Sequence, residues 1–433
     1  RLLLFFVLQS VVIYIIFLLY TIIFRNIGGS DMKKKIFAII AVILSLLMLA
    51  SCNGEERAKK ERRQNLRIGL SVSGNETDPY TSLHISGIDD LVKSADLNSN
   101  QIVKKTGITE ENCYSTAVEL VEQGCNLIFA AGSGLEDYIV QAATEKFNVQ
   151  FCVAKGTQAT TTGLANLHSY SVAESESRYV SGVAAGLKLN DMIENGEIPA
   201  KNIKVGYVGS MSGAENTSAY TAFYLGAKSV CPGVKLEVQY AGLENSENLE
   251  RIAANALIAN GCVLIAQHSY TNGAAETCEQ NNVYFVGNVA SAAEKAPNFA
   301  VTSSSSNWNA CYKYAVNCII DGKELPVEWS NGYDSDACGI VETNEATFAS
   351  KDRYNEAKRK ITETEKALKE KTLKVFDTAS WTVGGETITT TANEELASFY
   401  YGTEYIADGY FKEYEISSLP KFQFRIDGIA VLN

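Results

Sequence analysis

The chain has 433 residues, of which 46% are hydrophobic, and its 50 acidic residues against 38 basic ones give a formal net charge of −12. This length is enough for two ordinary domains. No basic cluster interleaved with aromatic residues occurs in the folded part, so we expect no nucleic-acid partner. The three histidines lie far apart in the sequence and argue against a metal site, and we expect no cofactor.

The first segment with a recognisable pattern is an N-terminal leader. Met32 is followed by three lysines and by an apolar stretch from Ile36 to Leu49, a pattern typical of a secretory signal peptide over 32–51. The stretch ends in LASC, where small residues admit a peptidase and the thiol of Cys52 can carry a lipid. We therefore expect a lipid-anchored protein on the extracytoplasmic face of the cell membrane. A signal peptide or anchor that merely contains a cysteine is the alternative.

Two segments flank this leader. Residues 2–24 are almost uninterruptedly apolar and long enough to span a bilayer. Because a complete signal peptide follows, we interpret residues 1–31 as an upstream extension outside the working protein, with a transmembrane helix as the alternative. Residues 52–65 include eight charged residues in the ten positions 55–64, which predicts a solvated tether between the lipid and the fold.

From residue 66 onward, short apolar runs alternate with helical patterns. The predicted strands are 66–72, 101–107, 126–132, 149–154, 167–172, 203–210, 234–242, 262–267 and 283–288. The predicted helices are 81–95, 112–124, 135–146, 175–188, 215–230, 246–260 and 272–281. Such alternation is typical of an α/β fold with parallel sheets flanked by helices, and its restart near residue 203 predicts two similar lobes. Ligands of such sheets bind beyond the carboxyl ends of the strands, so a cleft between the lobes is the expected site.

The remaining patterns give no sign of catalysis. No nucleophile elbow, phosphate-binding loop or zinc-protease motif occurs, which argues against an enzyme. Nine cysteines follow Cys52, an odd number without any C-x-x-C pair, and several lie in apolar runs, so we expect mostly free, buried thiols. Residues 351–372 predict an amphipathic surface helix, with a docking surface for a partner protein as the alternative.

Several longer motifs carry a family resemblance. They are ESRYVSGVAAGLKL (176–189), IKVGYVGSMSG (203–213), YLGAKSVCPGVKLEVQYAG (224–242) and the ending at 408–433. Their order resembles the basic membrane protein family, which comprises substrate-binding lipoproteins of ABC transporters related to purine nucleoside receptors. The resemblance runs from Leu66 to Asn433. It implies a two-lobed type I periplasmic-binding-protein fold, with lobe 1 formed by 66–172 and about 303–340. Lobe 2 would comprise 173–302 and part of 341–433.

The resemblance also implies a function. It predicts a non-enzymatic, monomeric receptor that captures a small molecule by lobe closure and delivers it to an ABC permease. A nucleoside, a nucleobase or a related ring compound is the expected ligand. A surface lipoprotein that acts as an adhesin or interaction protein without transport is the alternative.

The ligand residues of the family carry over only in part. The stacking aromatic position falls on Tyr80, whereas Lys155, Val289 and Ser306 stand where two acidic residues and a lysine are usual. This exchange predicts a pocket that repels anions less strongly and binds ordinary nucleosides weakly. A free base, a modified nucleoside or an acidic ring compound would then be the better ligand. The predicted ligand-binding residues are Asp78, Tyr80, Thr81, Gly132, Ser133, Lys155, Met211, Tyr270, Asn272, Asn288, Ser306 and Trp308. For the three aromatic residues, simple packing is the alternative.

Overall fold

A computed structural model describes residues 54–243, 245–288, 294–392 and 397–433. The chain divides into two units, 1–65 and 66–433. In the first unit, residues 54–65 form a helix, so the charged run predicted as a tether is helical. The signal peptide, the extension and Cys52 lie outside the described residues and stay predictions. Across the described ranges, no helix has both the length and the apolar character needed to span a bilayer.

The first sheet of the second unit has six parallel strands. They are β1 (Ile68–Val72), β2 (Ile102–Lys105), β3 (Leu127–Ala131), β4 (Gln150–Ala154), β5 (Leu167–Val172) and β11 (Glu328–Asn331). The flanking helices of this lobe are α1 (Pro79–Asp89), α2 (Leu91–Ser94), α3 (Glu110–Glu122), α4 (Glu136–Glu145), α5 (Ala159–Thr162) and α10 (Trp308–Asp321). Strands β1 and β3 are buried at every position, as expected for strands covered by helices on both faces. These elements form lobe 1.

The second sheet has seven strands. They are β6 (Ile203–Gly209), β7 (Val234–Tyr240), β8 (Leu264–Gln267), β9 (Tyr284–Asn288), β10 (Ala300–Ser306), β12 (Cys338–Ile340) and β15 (Ile429–Val431). Its helices are α6 (Glu174–Glu194), α7 (Ala214–Val230), α8 (Glu247–Ala259), α9 (Gly273–Asn281) and α11 (Lys351–Lys369). Only β12 runs antiparallel to its neighbour, β10. These elements form lobe 2.

The two sheets share one topology. Lobe 1 has the order β11-β5-β4-β3-β1-β2, and lobe 2 has the order β12-β10-β9-β8-β6-β7-β15. In each lobe the first strand lies between the second and the third, so the chain reverses direction across the sheet at that point. The sequence prediction of two α/β lobes with parallel sheets flanked by helices is confirmed.

Three crossovers join the lobes. They lie at Ala173, at Asn307 and within residues 332–337. Backbone hydrogen bonds connect them, since Ala173 N–H donates to the Asn331 carbonyl at 2.9 Å and Asn307 N–H donates to the Ala337 carbonyl at 2.7 Å. Strands β10 and β12 both belong to the lobe 2 sheet. The second segment of the chain that lies in lobe 1 is therefore 307–337, which is shorter by a few residues at each end than the predicted segment of about 303–340.

The motifs of the resemblance mark a close helix contact. A Cβ built on Gly182 of α6 would lie 2.0 Å from the Phe223 carbonyl oxygen, and one on Gly226 of α7 would lie 2.0 Å from the Tyr179 carbonyl oxygen. Larger residues would therefore force the two helices apart. The glycines in VSGVAAG and YLGAKS are thus explained by backbone-to-backbone packing in lobe 2.

The segment after β12 contacts both lobes. The α11 positions Tyr354, Ala357, Ile361 and Leu368 are buried, which confirms the predicted amphipathic helix. Further on lie α12 (Ala397–Tyr400), the short hairpin β13 (Ile406–Ala407) and β14 (Tyr410–Phe411), and α13 (Glu413–Ile416). All nine cysteines of the described residues are free and buried, as predicted.

Candidate functional site

A cavity of about 700 Å³ lies between the two lobes. Its wall comes from the carboxyl ends of strands in both sheets, which is where ligands of parallel sheets bind. Lobe 1 contributes Ser73, Gly74, Gly132, Ser133 and Lys155, and lobe 2 contributes Ser210, Met211, Glu215, His268 and Tyr270. The wall has an aromatic end around Tyr80 and Tyr270 and an ionic end around Lys155 and Glu215.

The aromatic end brings together tyrosines from opposite lobes. The rings of Tyr80 and Tyr270 meet edge to face, with centroids 5.7 Å apart. Behind Tyr80 lies His84 at 4.5 Å, and His84 in turn stacks on Trp308 at 4.3 Å. The ring of His84 also bonds the Tyr312 hydroxyl through Nδ1 at 2.5 Å. Tyr80 therefore rests on a buried aromatic cluster of lobe 1.

Local sequence fixes the position of Tyr80. Asp78 caps α1, because its carboxylate accepts a hydrogen bond from the Thr81 N–H at 3.1 Å. Pro79 follows at the first helical position, where its missing N–H costs nothing. Tyr80 consequently lies in the first turn of α1, directly at the cavity wall.

The ionic end is built around an ammonium group. Lys155 Nζ lies 2.6 Å from Glu215 Oε1 and 3.4 Å from Glu174 Oε1, so it joins lobe 1 to the first turns of α6 and α7 in lobe 2. Burial lowers the pKa of Lys155, but the two carboxylates outweigh burial and raise that pKa well above its ordinary value. Burial raises the pKa of Glu215, but Lys155 and His268 outweigh burial and hold this pKa well below its usual range. Both charges therefore persist at neutral pH.

A second set of contacts holds Glu215 in place. His268 Nε2 lies 3.3 Å from Glu215 Oε1, and His268 Nδ1 lies 3.1 Å from Arg178 Nη2. A guanidinium can only donate, so Nδ1 accepts and the ring proton resides on Nε2, which donates to Glu215. Burial and the nearby Arg178 lower the pKa of His268, which keeps this tautomer neutral. Arg178 also donates to the Gln267 carbonyl at 3.0 Å and to Asn288 Oδ1.

Glu174, Glu215 and His268 lie close enough together to suggest a metal site. The tautomer argues against it, because Nε2 carries its proton and has no lone pair for a metal. The position between the two carboxylates is also occupied by the Lys155 ammonium. The cluster is therefore best described as an internal ion pair.

Seven of the twelve predicted ligand residues line the cavity. They are Asp78, Tyr80, Gly132, Ser133, Lys155, Met211 and Tyr270. The structure brings them together from five different loops or helix starts of the two lobes. Their roles in ligand binding stay a prediction.

The other five predicted residues do not line the cavity, and their roles in ligand binding likewise stay a prediction. Thr81 and Trp308 are fully or almost fully buried in lobe 1, and Trp308 supports Tyr80 from behind. Asn272 precedes α9 and points to solvent. Asn288 is engaged by Arg178 and by the His268 carbonyl, at 2.7 Å for the latter. Ser306 is buried beside Glu174, at 3.5 Å.

The contacts of Lys155 contradict the premise behind the expectation of an anion-tolerant pocket. It treated Lys155 as an added positive charge, whereas the ammonium is neutralised by Glu174 and Glu215. Asp78 and Glu136 also line the cavity, so its wall carries more negative than positive charge. An acidic ligand would meet repulsion there. Val289, where the family has an acidic residue, lies outside the described residues.

The sequence analysis missed four residues of the ionic end, namely Glu174, Arg178, Glu215 and His268. Single acidic residues in the first turn of a helix are usual, since they favour the helix dipole, so Glu174 and Glu215 gave no distinct signal. A usable hint did exist: Glu174 and His268 lie within two residues of the ends of predicted strands, and Glu215 begins the helix that follows one, at the edge where the ligand site was expected.

Comparisons with known proteins place the chain in a family. The family Bmp, described as ABC transporter substrate-binding protein PnrA-like, matches residues 66–375. The chain is similar to a purine-binding protein of Brucella abortus, 24% identical over 66% of this chain and 75% of that protein. It is also similar to the nucleoside-binding protein BmpA of an ABC transporter of Lactococcus lactis, 26% identical over 54% of this chain and 65% of the relative.

Solved structures show the same fold. A solute-binding protein of an ABC transporter system from Conexibacter woesei superposes with a TM-score of 0.56 at 17% identity, over 71% of this chain and 98% of that chain. The expected two-lobed periplasmic-binding-protein fold is thereby confirmed.

Proposed function

This chain belongs to the Bmp family of PnrA-like ABC transporter substrate-binding proteins, and we propose that it is a receptor for an uncharged nucleoside or a related ring compound. It is a binding protein of a transporter and not an enzyme. We propose further that it captures its ligand by closure of the two lobes, works as a monomer and passes the ligand to an ABC permease. The named binding functions of its purine-binding and nucleoside-binding relatives support the ligand class.

The observation that carries the proposal is the pair of tyrosines, one from each lobe, that meet edge to face at the cavity wall. Tyr80 comes from lobe 1 and Tyr270 from lobe 2, with ring centroids 5.7 Å apart. A flat ring of the ligand that packs against this pair would gain aromatic contacts, worth about 0.5–1.5 kcal/mol per pair beyond the burial of area. A cavity of about 700 Å³ also has the size typical of small-molecule sites.

The charges of the wall support an uncharged ligand. Glu215 is bound by Lys155 and His268, and Glu136 accepts hydrogen bonds from the backbone N–H groups of Thr157 and Gln158 at 2.6 and 2.8 Å. Asp78 caps α1. Because each of these carboxylates already has a partner, none demands a cation, and together they repel anions.

Calorimetric titration tests the proposal directly. We expect adenosine, guanosine, inosine or uridine to bind, and we expect the nucleoside 5′-monophosphates to bind much more weakly because of their charge. Tyr80→Ala should lower the affinity about tenfold, since one aromatic contact and its buried area are lost. Phe147→Ala is the control, because Phe147 is 74% exposed and does not line the cavity.

Small-angle scattering gives a second measurement. Lobe closure should reduce the radius of gyration when ligand is added. If no member of a broad panel of nucleosides, bases and sugars binds or compacts the protein, the receptor function is wrong and the adhesin alternative gains support.

The lipid anchor is a separate part of the proposal. It rests on the LASC motif, so metabolic labelling with a fatty acid should label the wild type and not Cys52→Ala. Equal labelling of both would contradict it.

A further inference from the structure

A short segment near the C-terminus links the two lobes in addition to the three crossovers. Residues 413–418, which we call the strap, comprise α13 and the two serines that follow it. The family match ends at residue 375, so the strap belongs to the part of the chain beyond that match. One end of the strap contacts lobe 2 and the other end contacts lobe 1.

The first residue of the strap is held by lobe 2. Glu413 is 3% exposed, and its Oε2 accepts a hydrogen bond from the Ser218 hydroxyl of α7 at 2.8 Å. Its Oε1 accepts from the N–H groups of Lys421 and Phe422 at 2.9 and 3.0 Å, which ties the start of the strap to the chain that follows it. The rings of Phe411 and Phe422, which lie on either side of the strap in the sequence, pack with centroids 5.2 Å apart. The base of the strap is therefore fixed.

The last residue of the strap is anchored to lobe 1 by polar contacts. Ser418 is 3% exposed, its hydroxyl donates to Glu328 Oε1 of β11 at 2.8 Å, and its Oγ lies 3.3 Å from Ser169 Oγ of β5. The Ser169 hydroxyl donates to the Gly156 carbonyl at 2.7 Å. Gly156 directly follows Lys155, and both residues line the cavity. The anchor is thus adjacent to a loop of the cavity wall.

This anchor lies away from the crossovers about which the lobes can move. At about 3.3 Å per residue along β5 and β11, Ser169 and Glu328 lie roughly 13 Å before the crossovers at Ala173 and Gly332. Because lobe 2 holds the base of the strap, a rotation of the lobes displaces Ser169 and Glu328 relative to Ser418. An O–H···O bond needs about 2.5–3.0 Å between its oxygens, so the anchor forms in only one arrangement of the lobes.

We propose that the strap is a releasable link that stabilises the closed state: the anchor at Ser418 forms when the lobes close and must break before they open. The arrangement described here is the closed one, because Lys155 Nζ and Glu215 Oε1 meet across the cavity at 2.6 Å. This inference rests on the proposed capture of ligand by lobe closure and adds the segment that regulates it. Ser418 does not line the cavity, so its effect on affinity acts through the equilibrium between open and closed states.

Removal of the anchoring hydroxyl is the first test. Ser418→Ala deletes a hydrogen bond to a carboxylate that exists only in the closed state. In calorimetry, the nucleoside that the wild type binds most tightly among adenosine, guanosine, inosine and uridine should lose about fivefold in affinity. The control is Ser417→Ala, because Ser417 Oγ accepts from the Leu419 N–H at 3.1 Å within the same segment. This control should change the affinity by less than about twofold.

A reversible cross-link is the second test. Because their Oγ atoms are 3.3 Å apart, Ser169→Cys combined with Ser418→Cys brings two thiols within reach of a disulfide. After oxidation with diamide, the ligand-free protein should have a smaller radius of gyration than the same protein reduced with dithiothreitol. The nucleoside should also dissociate about tenfold more slowly from the oxidised form, since the anchor can no longer separate. The wild type treated in the same way is the control, because the cysteines of its described residues are all buried.

The outcomes separate the strap from the proposed function. If a nucleoside compacts the reduced double variant but oxidation changes neither the radius of gyration nor the dissociation rate, the strap inference is wrong and closure stands. If Ser418→Ala and Ser417→Ala change the affinity equally, the inference is again wrong. If no nucleoside binds the wild type, the proposed function fails, and the strap inference fails with it unless oxidation still compacts the ligand-free protein. Ser418→Ala decides the question if the cysteine pair does not form its disulfide, which mass spectrometry shows.

Discussion

The side chains at the aromatic and ionic ends of the cavity are held in place by different kinds of interaction. At the aromatic end, Tyr80 rests on His84 and Trp308, and order comes from ring packing. His84 Nε2 and Trp308 Nε1 have no hydrogen-bond partner in the described structure, so polar groups there are left unsatisfied. At the ionic end, Lys155 and Glu215 are both paired, and order comes from directional contacts.

This difference determines which ligands each end of the cavity can discriminate. Packed rings accept any flat group of suitable size, because aromatic contacts depend weakly on the identity of the atoms. A rigid donor–acceptor pair discriminates strongly, because an unmatched buried polar group is costly. The aromatic end should therefore supply affinity and the ionic end specificity.

The largest effect on stability is expected at the aromatic end. Trp308 is 1% exposed, and Trp308→Ala should lower the free energy of unfolding by about 3–5 kcal/mol, through lost burial and a cavity. Urea denaturation measures this change. Phe147→Ala, at an exposed position of the same lobe, should change the free energy of unfolding by less than about 0.5 kcal/mol. A small effect of Trp308→Ala would show that packing does not order this end.

A somewhat smaller effect is expected at the ionic end. Arg178→Met should lower the free energy of unfolding by about 3 kcal/mol, since Asn288, His268 and the Gln267 carbonyl lose a buried donor. The control is Arg359→Met, which breaks the exposed pair with Glu363 at 2.6 Å and should cost less than about 0.5 kcal/mol. A larger loss for Arg178→Met than for Trp308→Ala would reverse the comparison.

Mild acid should act on both ends, because the pKa of His84 at the aromatic end and the pKa of His268 at the ionic end are both lowered. Burial and the nearby Lys155 lower the pKa of His84 from 6.5 to about 3. The unfolded chain therefore binds a proton below pH 6.5 that the folded protein does not bind, and stability falls as the pH decreases from 6.5 toward 3. At pH 5 the wild type should have lost about 2 kcal/mol through this group.

His84→Gln should remove this loss, as seen by urea denaturation at pH 7 and pH 5. The Glu215 pKa is depressed, so its stabilising contribution is present above pH 4.5 and is lost only as the pH falls further. Glu215→Gln should consequently keep the wild-type loss between pH 7 and 5. If His84→Gln loses as much stability as the wild type between pH 7 and 5, the assignment of this part of the loss to His84 is wrong.

The smallest effect is expected at the rim. Met211 lines the cavity but is 43% exposed, so Met211→Ala should change the free energy of unfolding by less than about 0.5 kcal/mol. Its effect on ligand affinity should stay within about threefold, because little of its surface is available for further burial. A tenfold loss of affinity would show that the rim, and not only the two ends, determines binding.

Much of the fold was predictable because local patterns determine it. Alternating apolar runs and helical periods located the strands β1 to β9 and most of the helices, with differences of a few residues at their ends. The edge strands β12 and β15 were not predicted, since they have only three residues each and depend on a neighbour far away in sequence. Such pairing is a property of the assembled sheet and leaves little trace in the strand itself.

The site was predictable in part for the same reason. Tyr80, Ser133 and Lys155 follow strands or begin a helix, and the rule for parallel sheets places them at the cavity. Trp308 was expected at the ligand, but a bulky aromatic residue gives no sign of which side of a lobe it faces. The ionic end was missed because Arg178, Glu215 and His268 meet only after three separate segments have folded.

The short strand β15 has a consequence for the order of folding. It pairs in parallel with β7, and Asn433 exchanges hydrogen bonds with the backbone of Tyr240 across a separation of 193 residues. Contacts that distant in sequence form slowly, because a long loop must close first. Until they form, the outer edge of β7 presents unpaired backbone groups to other chains. Partly folded molecules should therefore be vulnerable to edge-to-edge aggregation until residues 429–433 have docked.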